Sequence, residues 1–290
     1  MDNYYLPTLN KIVDQFTENP TWVTINKEVL TKIANDLELN QTEFPENVPP
    51  TLPDGIESIP HYLEFEIIAN AVNYCYWYGK HDIRPNDCSA SKMYNALREA
   101  YKTFPSRQGV EWTITRFMTN MSLERFPLIH QRYLHLQELK TGIIGIADEI
   151  YGMKNNLENA LMYLCGTLTT YSQDMLLKRA SLFFMQVYRA TGLFKDQINL
   201  LPIPADYQVP KMLRHLGILE YSPELKDIIW RGELIPAGSR MEIEIRASAI
   251  KACRIVSELT GYNSSQVDDW LWLNRKSCSD PFHLTITTDY

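Results

Sequence analysis

The stretch "IPADYQVPKMLRHLGIL", residues 203–219, orders a proline and a glycine so that only one short helix fits between them. Pro210 is compatible with a helix only in its first turn, because deeper in it would delete a backbone hydrogen bond and clash with the carbonyl four residues back. Gly217 has the place of the residue that closes the same helix. Two to three turns remain, and Asp206 falls at or just before the N-terminus. Its carboxylate then has two compatible readings: an N-cap that accepts backbone N–H bonds, or a catalytic group that the helix dipole and free N–H groups keep ionised.

Working outward, residues 26–38 place Val29, Ile33 and Leu37 at helical spacing behind Asn26 as an N-cap, and this helix is expected to open the fold. Helical patterns follow over 62–78, 89–103, 111–121, 127–150, 155–166, 172–192, 208–216, 223–231, 239–260 and 264–273. Within them "NAVNYCYWY" (70–78) and "ASLFFMQVY" (180–188) are apolar or aromatic all round, which predicts two central, buried helices. Period-2 alternation is confined to short runs such as "HLTITTDY" at 283–290. The expected fold class is all-α, with at most a few short strands. Between Leu39 and Pro60 the chain is rich in proline and reads as an irregular surface connector. Residues 1–290 are expected to form one compact domain, on which the N-terminal helix and this connector (1–60) pack.

The net charge of −7 gives no general attraction for a polyphosphate backbone, so a long nucleic acid is not an expected partner. Five cysteines (Cys75, Cys88, Cys165, Cys253, Cys278) form no C-x-x-C pair, which fits a reducing, cytoplasmic setting and predicts neither a disulfide framework nor a zinc site. The six histidines show no H-E-x-x-H or H-x-x-x-H spacing, and no metal is expected. No window approaches the ~18 consecutive apolar residues of a membrane-spanning helix, and the opening "MDNYYLPTLN" is not a signal peptide. Hydrolase-elbow, P-loop and dinucleotide motifs do not occur in this chain, which has only 12 glycines.

Two cationic residues stand in apolar surroundings. In "MEIEIRASAIKACRIV", Glu242, Arg246, Ala249, Ile250 and Cys253 share one helical face while Glu244 points elsewhere. Arg246 there needs an anion: Glu242 one turn earlier, the end of another helix, or a ligand. Lys178, in "DMLLKRASLFF", enters a buried helix and reads as a phosphate holder, a partner for a catalytic acid, or a side chain that snorkels outward.

The short Asp-headed helix resembles that of the helix-hairpin-helix DNA glycosylases. Beyond it, "WVTINKEVLTKIA" (22–34), "NYCYW" (73–77), "FPLIHQRYLHL" (126–136), "LKRA" (177–180), "ADYQVPKMLRHLGILEYSPEL" (205–225), "RGELI" (231–235), "EIEIRA" (242–247), "DDWLW" (268–272) and "PFH" (281–283) together resemble, in order, the queuosine-salvage family of queuosine 5′-phosphate N-glycosylase/hydrolases. The resemblance implies an all-helical fold and hydrolysis, without metal or organic cofactor, of the bond between a 7-deazaguanine-type base and ribose 5-phosphate. The expected partner is thus a small nucleotide.

By the same resemblance Asp206 is the catalytic carboxylate, Lys178 reads the 5′-phosphate or the catalytic acid, and Asp268 faces the base. Asn73 and Trp77 lie in an aromatic pocket helix. The substrate-binding set it implies comprises Lys178, Pro204, Tyr207, Asn70, Asn73, Trp77, Arg246, Asp268, Asp269 and His283. The chain departs from the family where Asn70 replaces an acid, Pro204 an aromatic residue and Leu273 an acid, and no counterpart of a family histidine precedes the pocket helix. Lost carboxylates are lost hydrogen bonds to specific base edges, so a base other than queuine is compatible with the pattern. The alternatives are a non-catalytic nucleotide-binding protein of the same fold and a DNA glycosylase.

Overall fold

The structure is a computed structural model that describes residues 5–39 and 52–290. The central part of the proline-rich connector, 40–51, lies outside the described residues. The first helix, α1 (Tyr5–Glu18), precedes the one expected to open the fold and buries Leu6, Leu9 and Val13. Strand β1 (Val23–Ile25) and α2 (Lys27–Asp36) follow, the latter capped by Asn26, whose side chain accepts the Val29 N–H. Then come α3 (Ile59–Ala71), α4 (Ala90–Thr103), α5 (Val110–Leu123), α6 (Ile129–Lys140), α7 (Ile143–Gly152), α8 (Leu157–Thr167), the single turn α9 (Thr169–Ser172) and α10 (Lys178–Thr191). The chain continues with α11 (Gln208–His215), β2 (Leu219–Tyr221), α12 (Pro223–Trp230), α13 (Arg240–Thr260) and α14 (Ser264–Asn274).

The fold is thus predominantly α, and the one small sheet among the described residues pairs β1 with β2 antiparallel, Thr24 opposite Glu220. The 283–290 run forms no strand and makes a single bridge, Leu284 to Leu234. The long pattern at 127–150 is two helices, because the backbone turns at Gly142, whose φ of 102° is open to glycine without strain.

Helix α3 packs on α10, α7, α6 and α4, while α13 gathers α1, α2, α11, α14 and both strands. The α10 expectation holds: Phe183, Phe184, Met185 and Val187 are fully buried. The other central helix ends earlier than its apolar pattern implies. α3 stops at Ala71, and residues 72–77 leave the helix yet stay in the core, with Tyr74, Cys75 and Trp77 inaccessible to solvent.

Freed carbonyls in a core need donors, and buried cations supply them. Arg179 Nη1 donates to the Ala71 carbonyl at 2.8 Å and Lys178 Nζ to that of Asn73 at 3.0 Å. Arg132 donates to the carbonyls of Val72, Tyr74 and Cys75, the last at 2.7 Å. Asn73 and Trp77 therefore belong to an extended segment rather than to a helix.

Candidate active site

A cavity of about 660 Å³ opens where α3, α4 and α10 face α11 and α14. Lys178, Leu182, Gln186 and Arg189 form its α10 wall at helical spacing, and Glu66 and Tyr62 repeat that spacing on α3. Both walls carry polar groups that the core would otherwise exclude.

Asp206 sits at one end. Its Oδ1 accepts the N–H of Gln208 at 2.6 Å and of Val209 at 3.4 Å, while Oδ2 has no hydrogen-bond partner among the described residues. The two readings of the carboxylate are realised on separate oxygens: one caps α11 and the other is free on a residue that lines the cavity. Pro210 stands in the first turn of α11, and Gly217, at φ 76°, ends the helix by donating its N–H to Arg214 O at 2.9 Å.

Lys178 is 3 % exposed and also lines the cavity. Burial pulls its ammonium down to about 8, against the opposing pull of the Asp206 carboxylate. Tyr207, beside Asp206, is held edge-on by Trp77 at 4.7 Å between ring centres and packs on Phe282 at 4.4 Å.

A buried ion cluster joins these pieces from behind. Arg246 donates to Asp174 Oδ2 at 2.6 Å, to Glu242 Oε1 at 3.2 Å and to the Ala205 carbonyl at 2.8 Å. Asp174 accepts the N–H groups of Leu176 and Lys178 with its two oxygens. Burial would raise Asp174, but the Arg246 guanidinium outweighs it and holds the acid below the usual range. Arg246 thus finds both anions that its apolar face required, and it touches the backbone next to Asp206 rather than the cavity. Glu244, on the other side of α13, collects the N–H groups of Thr21, Trp22 and Val23 on Oε1.

At the far end Arg189 binds Asp268 at 2.8 Å and Asp269 at 3.0 Å. Burial pushes Asp268 up to about 6 although Arg189 opposes it. The α3 wall carries Glu66, 4 % exposed, whose Oε2 accepts from Tyr94 Oη at 2.9 Å and Asn70 Nδ2 at 3.1 Å. Burial pushes Glu66 up to about 7, against hydrogen bonds from Tyr62, Tyr94 and Asn70.

Of the residues singled out from sequence, Asp206, Lys178, Tyr207, Asn73, Asp268 and Asp269 line the cavity together. Asn70, Trp77, Pro204, Arg246 and His283 do not: all are buried behind it. Asn70 backs Glu66, Trp77 seats Tyr207, and His283 Nε2 meets Tyr290 Oη at 3.1 Å. Burial, with Arg246 and Arg214 nearby, takes His283 down to about 3, so it is neutral there. Leu273 lines the rim. Sequence reasoning missed Glu66, Tyr94, Gln186 and Arg189, although Gln186 and Arg189 follow Lys178 by about two and three helical turns on α10 and so carry a signal. Outside the cavity, His215, Cys278 and Asp280 bring ligand atoms within 4.8 Å of one another, and Asp280 already faces Arg214 at 3.5 Å. All five cysteines are free and buried, and no helix among the described residues is long and apolar enough to cross a membrane.

Residues 168–288, which carry Lys178, Asp206 and Asp268, match the family described as queuosine salvage protein. Curated relatives extend the similarity over most of the chain. The queuosine 5′-phosphate N-glycosylase/hydrolase of Sphaerobacter thermophilus is 27% identical across 98% of this chain and 97% of its own. That of Dictyostelium discoideum is 28% identical across 78% of each chain. A shorter match, 36% identical over 27% of this chain and 23% of the relative, links it to the protein of the same name from Schizosaccharomyces pombe. The Asp-headed helix, the buried lysine and the paired acids all lie inside the matched region, and over that region the chain is similar to the queuosine salvage protein family.

Proposed function

We propose that the protein hydrolyses the N-glycosidic bond of queuosine 5′-monophosphate, or of a closely related deazapurine nucleoside 5′-monophosphate, and releases the free base for salvage. The observation that carries this reading is the division of labour within Asp206, one oxygen fixed by α11 and the other unengaged on a residue that lines the cavity of the buried Lys178.

The chemistry asks for that arrangement. As the C1′–N bond breaks, its electron pair leaves with the base and positive charge builds on C1′ and the ring oxygen. A fixed carboxylate stabilises that cation, and it accepts a proton from the water whose oxygen bonds to C1′. A 7-deaza base has carbon in place of N7 and is not activated by protonation there, so stabilisation of the sugar cation carries more of the barrier. Lys178 offers the charge for the 5′-phosphate or for Asp206. Asp268, held by Arg189, offers an acceptor to the donor edge of the base.

Mass spectrometry of the products from queuosine 5′-monophosphate and ordinary nucleoside monophosphates tests this reading. It predicts free base and ribose 5-phosphate from the deazapurine substrate. Intact nucleotide that nonetheless raises the melting temperature would instead mark a binding protein.

A further inference from the structure

One group of ligand-type side chains stands apart from the cavity. His215, the last residue of α11, joins Cys278 and Asp280, and an imidazole nitrogen, a sulfur and a carboxylate oxygen come within 4.8 Å of one another. None of the three lines the cavity of Asp206. They share no short spacing motif in the sequence, so only the fold reveals the set. The segment after α14 crosses the end of α11, where Arg214 donates to the Pro281 carbonyl at 2.7 Å.

The donors are chemically selective. A thiolate with an imidazole and a carboxylate suits a borderline-soft divalent ion of the zinc class, whereas magnesium and calcium ask for oxygen ligands. The two anions balance a doubly charged cation, and the C-terminal end of a helix, where His215 stands, favours positive charge.

The geometry is close to closed. Metal–ligand bonds of about 2.0–2.3 Å in a tetrahedral array put the donor atoms roughly 3.3–3.6 Å apart. His215 Nδ1 lies 3.9 Å from Asp280 Oδ2, too long for a hydrogen bond and near the span of two ligands on one ion. The side chains of His215 and Asp280 are 40% and 34% exposed and free to adjust, while the free thiol of Cys278 is buried and supplies the fixed point. Asp280 also faces Arg214 at 3.5 Å, but that guanidinium is seated without it, on the Pro281 carbonyl and 5.4 Å from the centre of the Tyr221 ring. A cavity of about 240 Å³, lined by His215, Asn274 and Ser277, gives an entry path and room for a water as fourth ligand.

We propose that His215, Cys278 and Asp280 form a structural site for a zinc-class divalent cation. On binding, the Cys278 thiol gives its proton to solvent and the ion takes the thiolate, the neutral imidazole and the carboxylate. The ion clamps the C-terminal end of α11, whose N-terminal end carries Asp206, to the segment that continues into Phe282, which packs on Tyr207. It holds architecture and takes no part in bond cleavage, so the site stands or falls independently of the hydrolase reading.

Metal titration of the full chain, stripped with a chelator and desalted, tests the site. Zinc is expected to bind one ion per chain with a Kd of about 10 µM or tighter and to raise the melting temperature, while magnesium does neither. Cobalt(II) should give the thiolate-to-metal charge-transfer band of a cysteine-bound ion. Cys278→Ser, which keeps the buried shape and the remaining cysteines, should abolish that band and weaken zinc at least about 100-fold. His215→Ala, at an exposed side chain, should weaken zinc at least about tenfold and leave the metal-free melting temperature little changed. Zinc binding in the wild type weaker than about 10 µM, or a cobalt band and zinc affinity that persist in Cys278→Ser, overturns the proposal.

Discussion

Arg246 and Asp174 meet at 2.6 Å, and through that pair the first turn of α10 is tied to the backbone beside Asp206. Asp174 caps the helix that begins with Lys178, while Arg246 holds the Ala205 carbonyl. Two side chains that line the cavity, from segments 28 residues apart in sequence, are thereby fixed to one buried cluster. Arg246→Lys retains charge but loses the planar fork that serves three acceptors. It is expected to lower kcat at least about tenfold with KM little changed, as steady-state kinetics would read. Arg246→Met leaves Asp174 buried and unpaired and should cost about 3–5 kcal/mol in denaturant unfolding.

The extended segment after α3 yields a separate stability prediction. Arg132 serves three carbonyls that no helix or strand satisfies. Each orphaned acceptor costs roughly 1–3 kcal/mol, so Arg132→Met should lower the urea midpoint more than any single truncation on the exposed face of α5. An unchanged midpoint would mean that the segment finds other donors.

Lys178 gives the site a pH signature. Its folded value of about 8 lies below the ~10.4 of an unfolded lysine. If the charged form is the working one, kcat/KM falls as pH rises through about 8, and Lys178→Met loses both activity and that alkaline limb. The sign for stability is opposite. Between the two values the unfolded chain binds the extra proton, so this group's penalty is fully present below pH 8 and is relieved towards pH 10. Urea unfolding at pH 7 and 9.5 should show wild type gaining on Lys178→Met at the higher pH.

Much of the fold was legible locally. Asn26, Pro210 and Gly217 mark helix ends through their own backbone chemistry, and those ends stand where the residues place them. α1 was legible too, since Leu6, Leu9 and Val13 keep an i, i+3, i+7 spacing, but it was not read. The end of α3 was hidden for a physical reason. Apolar residues continue through Trp77, and what stops the helix is paid for by Arg132 and Arg179, 57 to 108 residues away, whose role no local pattern reveals.

The site divides the same way. Asp206 was found from its own helix, and Arg246 was recognised as needing an anion, though its partners Asp174 and Ala205 come from segments 72 and 41 residues distant. Glu66 stayed unseen because it lies inside an apolar run, where a carboxylate reads as an interruption until Tyr94 and Gln186 are seen to face it.

The central claim is that the charge of Asp206, and not only its cap, does the chemistry. Asp206→Asn separates the two, because an amide oxygen can still accept the Gln208 and Val209 N–H groups while the negative charge is gone. The decisive measurement is single-turnover release of free base from queuosine 5′-monophosphate by this variant, with its thermal midpoint recorded alongside. A loss of at least about 10³ in rate, with the midpoint within a few degrees of wild type, is the predicted result. Undiminished base release would contradict it.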